Sequence, residues 1–308
     1  MLIHVPIGRR AKRKGRERPM NKAERLKTNV AGDFYVNSAC INCDTCRQLA
    51  PSVFAEVGRY SAVARQPKNR EEKRRALYAL LACPTGAIGS DDKSDISEAM
   101  AAFPLQLAEQ VYYCGYTSRE SFGASSYFLM HPDGNWLIDA PRYVPSFAKK
   151  LEEMGGVRYI FLTHEDDVAD AKRYALHFGA ERIIHKLEQE AQPDAEHIIE
   201  STEALEWKPG FRIIPVPGHT IGHIVLLYDN TFLFTGDHLS WDRDKGKLDG
   251  HKNHCWYSWR RQGESMARLI KEEFEWVLPG HGDRVHLPRE QMKEALQMLV
   301  KEMKEENL

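Results

Sequence analysis

Four short loops, each carrying a histidine or an aspartate, follow four separate apolar runs in the second half of this chain. They are Thr163-His164 after Val157–Leu162, Pro217-Gly218-His219-Thr220 after Phe211–Val216, Thr235-Gly236-Asp237-His238 after Thr231–Phe234, and Pro279-Gly280-His281-Gly282 after Trp276-Val277-Leu278. Short apolar runs bounded by Gly and Pro read as buried strands. Loops this far apart in sequence meet only where their strands end at one edge of a sheet. Convergent imidazoles and carboxylates at such an edge are how a fold gathers metal ligands.

A second pattern lies nearer the start. Cys40, Cys43 and Cys46 are separated by two-residue spacers, and Cys83-Pro84 follows much later. Successive backbone turns can present three sulfurs to one cluster, and a fourth closes the site where proline stops a helix. Between them, Gly58-Arg59-Tyr60 suggests a hairpin turn, and Arg70–Leu81 reads as a helix with Leu77, Leu80 and Leu81 inward. A structural zinc with four thiolates is the alternative. This segment, with Ile41 inside the triad and the ending Cys83-Pro84-Thr85-Gly86-Ala87-Ile88, resembles single-cluster bacterial ferredoxins. The resemblance implies one [4Fe-4S] cluster on Cys40, Cys43, Cys46 and Cys83, in a ferredoxin-like domain spanning 30–105.

Composition narrows the classes. A 42% hydrophobic, 28% charged chain of 308 residues with net charge −1 is an ordinary globular one, with no whole-protein attraction to nucleic acid or membrane expected. No run approaches the roughly 18 apolar residues of a membrane span, and the first 30 residues lack a secretory apolar core, so a cytoplasmic location is expected. Residues 1–29 are rich in Arg and Lys. They read as a solvated disordered tail rather than a nucleic-acid or lipid-binding arm. Cys114 and Cys255 are isolated and read as ordinary thiols.

Residues 106–308 resemble the metallo-β-lactamase superfamily, on Ile138-Asp139, Thr163-His164, Pro217-Gly218-His219-Thr220 with His223, Thr235-Gly236-Asp237 and Pro279-Gly280-His281-Gly282 in order. The resemblance implies an αββα sandwich with its metals at one edge. The chain therefore reads as a two-domain α+β protein. The first family motif is His-x-His-x-Asp-His, and this chain departs from it. His164 keeps the first position, while Asp166, Val168 and Ala169 stand at the next three. The resulting expectation is one metal held by His164, Asp166 or Asp167, His219 and Asp237. His281 would contribute to a partial second site or orient a ligand, and Asp170 is a weaker candidate. Complete loss of metal is the alternative.

Exchanging histidine for carboxylate hardens the site and moves preference from zinc towards iron or manganese. A carboxylate at the second position is similar to the His-x-Glu-x-Asp-His of flavodiiron proteins, which hold iron but keep the Asp-His pair missing here. Asp237 and His238 are the candidate catalytic pair, for positioning water and moving protons, and His223 reads as an orienting residue. His251, His254, Tyr257 and Trp259 either border the cleft or pack an irregular loop.

Three functions follow. The first is hydrolysis of an ester- or thioester-type small molecule by metal-bound hydroxide, with one or two Zn or Fe ions. The second is a cluster-fed iron oxidoreductase reducing a small molecule, served by a redox partner protein. The third is a non-catalytic electron-transfer or redox-sensing adaptor.

Overall fold

The computed structural model describes residues 23–92 and 96–306. Most of the basic tail, residues 1–22, and residues 93–95 of the polar linker lie outside them. The tail reading does not extend to 29. Leu26 N–H donates to Val36 O at 2.9 Å, the Asn29 side chain bonds Leu26 O, Val36 and Val63, and the Arg25 guanidinium lies 3.8 Å from the Tyr35 ring centre. Asn29 ties three backbone segments together, which a side chain in a solvated tail cannot do.

In the first module Phe34–Val36 pairs antiparallel with Ile88–Ser90, and Phe54–Val57 pairs with Tyr60–Val63 across a turn at Gly58 (φ 64°). The helix Arg70–Ala82 begins at Asn69, whose side chain accepts from Glu72 N–H, with Glu71 and Glu72 in the first turn. A capping Asn and acidic residues both satisfy the free N–H groups and positive end of a helix. Pro84 stops it, so Cys83 sits just beyond the last turn.

The second module has four layers. A seven-stranded sheet runs in the order His197–Ile199, Glu181–His185, Tyr159–Phe161, Trp136–Ile138, Tyr127–Leu129, Val111–Tyr113, Leu105–Ala108, and is parallel over its first four strands. A six-stranded sheet runs Leu205–Lys208, Phe211–Pro215, Ile224–Tyr228, Phe232–Gly236, Trp276–Pro279, Val285–His286. Side-chain alternation along these strands builds the layers. Ile224, Leu226 and Tyr228 join the core between the sheets, with Phe232 and Phe234. Val225, Leu227 and Leu233 point the other way, into a core shared with Leu269, Met292 and Leu296 of the helices Trp259–Leu269 and Arg289–Glu306. A period of two on a strand buried on both faces produces this division. The sheets meet through aromatic pairs, Trp136 on Phe211 (4.3 Å between ring centres) and Tyr127 on Phe234 (5.6 Å). Helices Pro145–Glu153 and Ala171–Phe178 pack beside the first sheet's strands, with Phe147, Leu151 and Tyr174 in the core between sheets and helices.

The stretch after Asp237 is more regular than expected. Ser240–Asp242 pairs with Lys247–Asp249, and the Asp242 carboxylate accepts from Asp244 and Lys245 N–H to form the turn. A three-residue strand closed by a side-chain-capped polar turn carries almost no apolar periodicity to read.

Candidate metal centre

Tyr159–Phe161, Phe211–Pro215, Phe232–Gly236 and Trp276–Pro279 end at one edge of the sandwich, and His164, His219, Asp237 and His281 follow them. Two ligand groups form there. His164, His219 and Asp237 have ligand atoms within 4.8 Å of one another, and so do Asp167, Asp237 and His281. Asp237 belongs to both.

The first group is held in place from behind. The strand-end residue Asp139 accepts hydrogen bonds from Thr163 N–H (2.9 Å) and Thr163 Oγ1 (3.0 Å). Thr163 has one hydroxyl proton, given to Asp139, so at the 3.0 Å contact between Thr163 Oγ1 and His164 Nδ1 the imidazole donates. That assignment leaves His164 Nε2 with a free lone pair. Nε2 is buried without a hydrogen-bond partner among the described residues, 3.8 Å from Asp237 Oδ2 and 3.9 Å from Asp166 Oδ2. His219 Nε2 is in the same condition, 3.7 Å and 3.5 Å from the same two oxygens. Burial pushes His164 down to about 4, so the ring is neutral, as a ligand must be.

The turn Glu165–Asp167 separates two carboxylates that the sequence leaves interchangeable. Asp166 stays half exposed and reaches the first group, while Asp167 is buried, and neither of its oxygens has a hydrogen-bond partner among the described residues. Glu188 holds this turn, accepting from Glu165 N–H (3.1 Å) and from Gly222 N–H (2.5 Å) on the loop that carries His219 and His223. Burial, and then the Asp237 and Asp139 carboxylates, push Asp167 well above the carboxylate range. A buried carboxyl group facing other carboxylates, with no donor, is a liability that a divalent cation removes. Burial acts upward on Asp237 too, but His281, by charge and hydrogen bond, followed by His164 and His219, holds it well below the usual range. His281 Nδ1 lies 2.8 Å from Asp237 Oδ1, and His223 Nε2 accepts from Asp237 N–H at 3.2 Å.

Gly280 makes the second group possible. A Cβ there would lie 2.5 Å from Asp167 Oδ2 and 2.8 Å from Asp237 Oδ1. Gly280→Ala should therefore lower the non-cluster metal content by about one ion per chain, leaving the His164 group loaded. Elemental analysis of the purified variant checks this, and unchanged content counts against the second group.

Other candidates fall elsewhere. The Asp170 carboxylate accepts from Tyr143 N–H at 2.6 Å and caps a loop away from the ligands. His238, the candidate proton carrier, is fully buried, does not line the cleft, and is pushed down to about 3 by burial. His238 N–H bonds Thr235 O in a tight turn, so chain adjacency to Asp237 does not give its ring access to the cleft. Accordingly His238→Asn should preserve both limbs of the pH–rate profile, and loss of a limb would reinstate it. Trp259 packs into the helix-side core, while the neighbouring Trp256 lines the cleft with His251 and His254, its ring 6.0 Å from His219.

The cluster candidates also converge. Cys40, Cys43, Cys46 and Cys83 line one pocket with Val36, Ile41, Ala87 and Ile88. Asn42 N–H points at Cys40 Sγ (3.4 Å) and Ala87 N–H at Cys83 Sγ (3.3 Å), as donors to thiolates would. Burial pushes the Cys43 and Cys46 thiols up to about 11 and about 12. Four thiols gathered at one pocket, two of them where burial disfavours the charged form, fit a cationic iron–sulfur core. Unread in the sequence is the contact between the two sites, because Asn42, Cys43 and Asp44 line the metal-centre cleft as well.

Comparison with known proteins follows the same division. Residues 36–90 match the family model described as the 4Fe-4S single cluster domain of Ferredoxin I, and residues 109–293 match that of the metallo-beta-lactamase superfamily. A hydroxyacylglutathione hydrolase of Cereibacter sphaeroides is 33% identical over 146 residues, 44% of this chain and 55% of that protein. The chain thus spans about half the length of the curated relative it matches. The crystal structure of VMB-1 superposes with a TM-score of 0.50 at 20% identity, covering 64% of this chain and 95% of that one. That of TMB-1 gives 0.50 at 15% identity, covering 65% and 96%. These two likenesses bear on the fold alone. Among the described residues no helix is long and apolar enough to cross a membrane.

Proposed function

The chain belongs to the metallo-beta-lactamase superfamily, with a 4Fe-4S single-cluster ferredoxin domain in front, and from that premise we propose that it is a metal-dependent hydrolase of small ester- or thioester-type substrates holding two ions. The carrying observation is that Asp237 belongs to two ligand groups at once, one of them containing the partnerless carboxylate of Asp167. His164, His219, Asp237 and Asp166 would hold one ion, and Asp167, Asp237 and His281 the other. Bound there, such ions acidify water and polarise a carbonyl. The protein's own part is orientation. Asp139 and Thr163 fix the His164 tautomer, and His223 fixes Asp237 through its backbone N–H. Trp256 and Phe122, both exposed at the cleft, offer apolar surface to an acyl or thiol moiety. The likeness to a hydroxyacylglutathione hydrolase supports a thioester as the first substrate class to assay.

A second reading has its own observation. Three carboxylates, Asp166, Asp167 and Asp237, surround the centre, and this hard donor set favours iron or manganese. In that reading the cluster delivers electrons from a redox partner protein to a small molecule at the iron. Anaerobic purification with elemental analysis and a thioester assay separates the two. About four irons with one or two zincs and thioester turnover support the hydrolase. Five or six irons without turnover support the oxidoreductase, and four irons alone overturn both.

A further inference from the structure

The wall between the two centres is one turn thick. On one side of it, Gly123 (φ +93°) packs so closely on the cluster loop that a Cβ would lie 2.7 Å from Cys43 Cβ and 2.9 Å from Cys43 Sγ. Thr45 Oγ1 donates to Gly123 O at 3.3 Å and lies 3.4 Å from Cys43 Sγ. On the other side, the Phe122 ring centre lies 6.4 Å from that of His281. Two further ties join the cluster loop to the residues after His281. Gln48 Nε2 donates to Gly282 O at 3.0 Å, and Arg243 bridges Asp44 (2.5 Å) and Asp283 (2.6 Å). Arg243 is thus neutralised by two carboxylates, and Arg47 in the cluster loop also pairs with Asp44.

We infer that the cluster and the metal centre are energetically coupled across this turn, so that reducing the cluster tightens cation binding at Asp167, Asp237 and His281, and cation binding there raises the cluster's reduction potential. The inference rests on the proposed metal-binding reading of those residues. In the redox step one electron passes from an external low-potential donor to the cluster, and no bond forms or breaks. Added negative charge on a cluster held by Cys43 attracts a cation at Asp167, Asp237 and His281, and Cys43 lines the same cleft as those residues, so the path between them is short. Linkage makes the effect reciprocal and equal in both directions. At an effective dielectric near 20 and a separation on the order of 10 Å, one added electron and a divalent cation couple on the order of a hundredfold in affinity. For a one-electron couple a hundredfold corresponds to about 118 mV. The chain would then bind its hydrolytic metal more tightly under reducing conditions, making the ferredoxin domain a redox sensor for the site it adjoins.

The test uses the full chain, purified anaerobically with its cluster intact, and freed of other metal by a chelator. Dithionite with mediators sets the potential, and the paramagnetic signal of the reduced cluster gives the midpoint, before and after two equivalents of zinc whose uptake is measured. A rise of about 118 mV is expected, with a zinc dissociation constant about a hundredfold lower in the reduced protein. The Asp237→Asn variant, which lacks the shared ligand, should show no rise, and a rise there would mean that zinc acts elsewhere and overturn the inference. A midpoint that stays put in protein that has taken up zinc overturns the coupling alone. Failure to take up zinc overturns the metal-site reading as well.

Discussion

Asp237→Asn should remove both ions and take hydrolysis with them. The substitution preserves shape and leaves an oxygen for the His281 Nδ1 contact, now 2.8 Å, and the backbone N–H bonded to His223. What it removes is the charge shared by the His164 and Asp167 groups. Replacing residues that merely orient a metal ligand typically costs 10–100-fold, so a ligand common to two ions should cost at least about a hundredfold in kcat/KM. Stability provides an independent readout. A ligand at about 100 times its dissociation constant stabilises the folded state by about 2.7 kcal/mol, so zinc should raise the melting temperature of the parent chain. In Asp237→Asn that zinc-dependent rise should vanish. Retention of the rise and of thioester turnover would show that the two groups do not share Asp237 as a ligand.

How far the sequence disclosed this centre differs residue by residue. His164, His219, Asp237 and His281 were legible because each follows a strand buried on both faces and sits in a loop shaped by Gly or Pro. The layers were legible for the same reason, since alternation along runs such as Ile224–Tyr228 says which residues face which core. Asp166 and Asp167 could not be told apart, because adjacent residues in a tight turn diverge by an angle that no periodicity encodes. Glu188, on another element, sets it. His238 is the converse case, being next to the candidate ligand Asp237 in the chain yet turned into the interior. The junction was invisible. Asp44 and Arg243 are 199 positions apart, and nothing local to either announces the other. Gly123 likewise reads as one more loop glycine until Cys43 is seen against it.

Cys83→Ser should abolish the visible absorption of the cluster and also lower the melting temperature of the whole chain, not of one module. A serine oxygen is a poor substitute for the thiolate that closes the cluster, and a domain of this size buries little core without it. Losing the cluster from the pocket walled by Cys46, Ala87 and Ile88 then leaves the first module without its centre, and the binding energy of the group is lost as folding energy. The second module feels this through Arg142. Its guanidinium, with a pKa lowered by burial, donates to Leu81 O (2.6 Å), Cys83 O (2.9 Å) and Thr117 O (2.9 Å), and Thr117 Oγ1 donates to Ala82 O at 2.7 Å. If the end of helix Arg70–Ala82 frays, a part-buried cation loses most of its acceptors, at about 1–3 kcal/mol for the groups left unpaired. Calorimetry of the variant should therefore show one broadened transition at lower temperature. Two transitions, the upper one at the parent's position, would mean the modules are energetically separate. An unchanged visible spectrum would mean the cluster does not need Cys83.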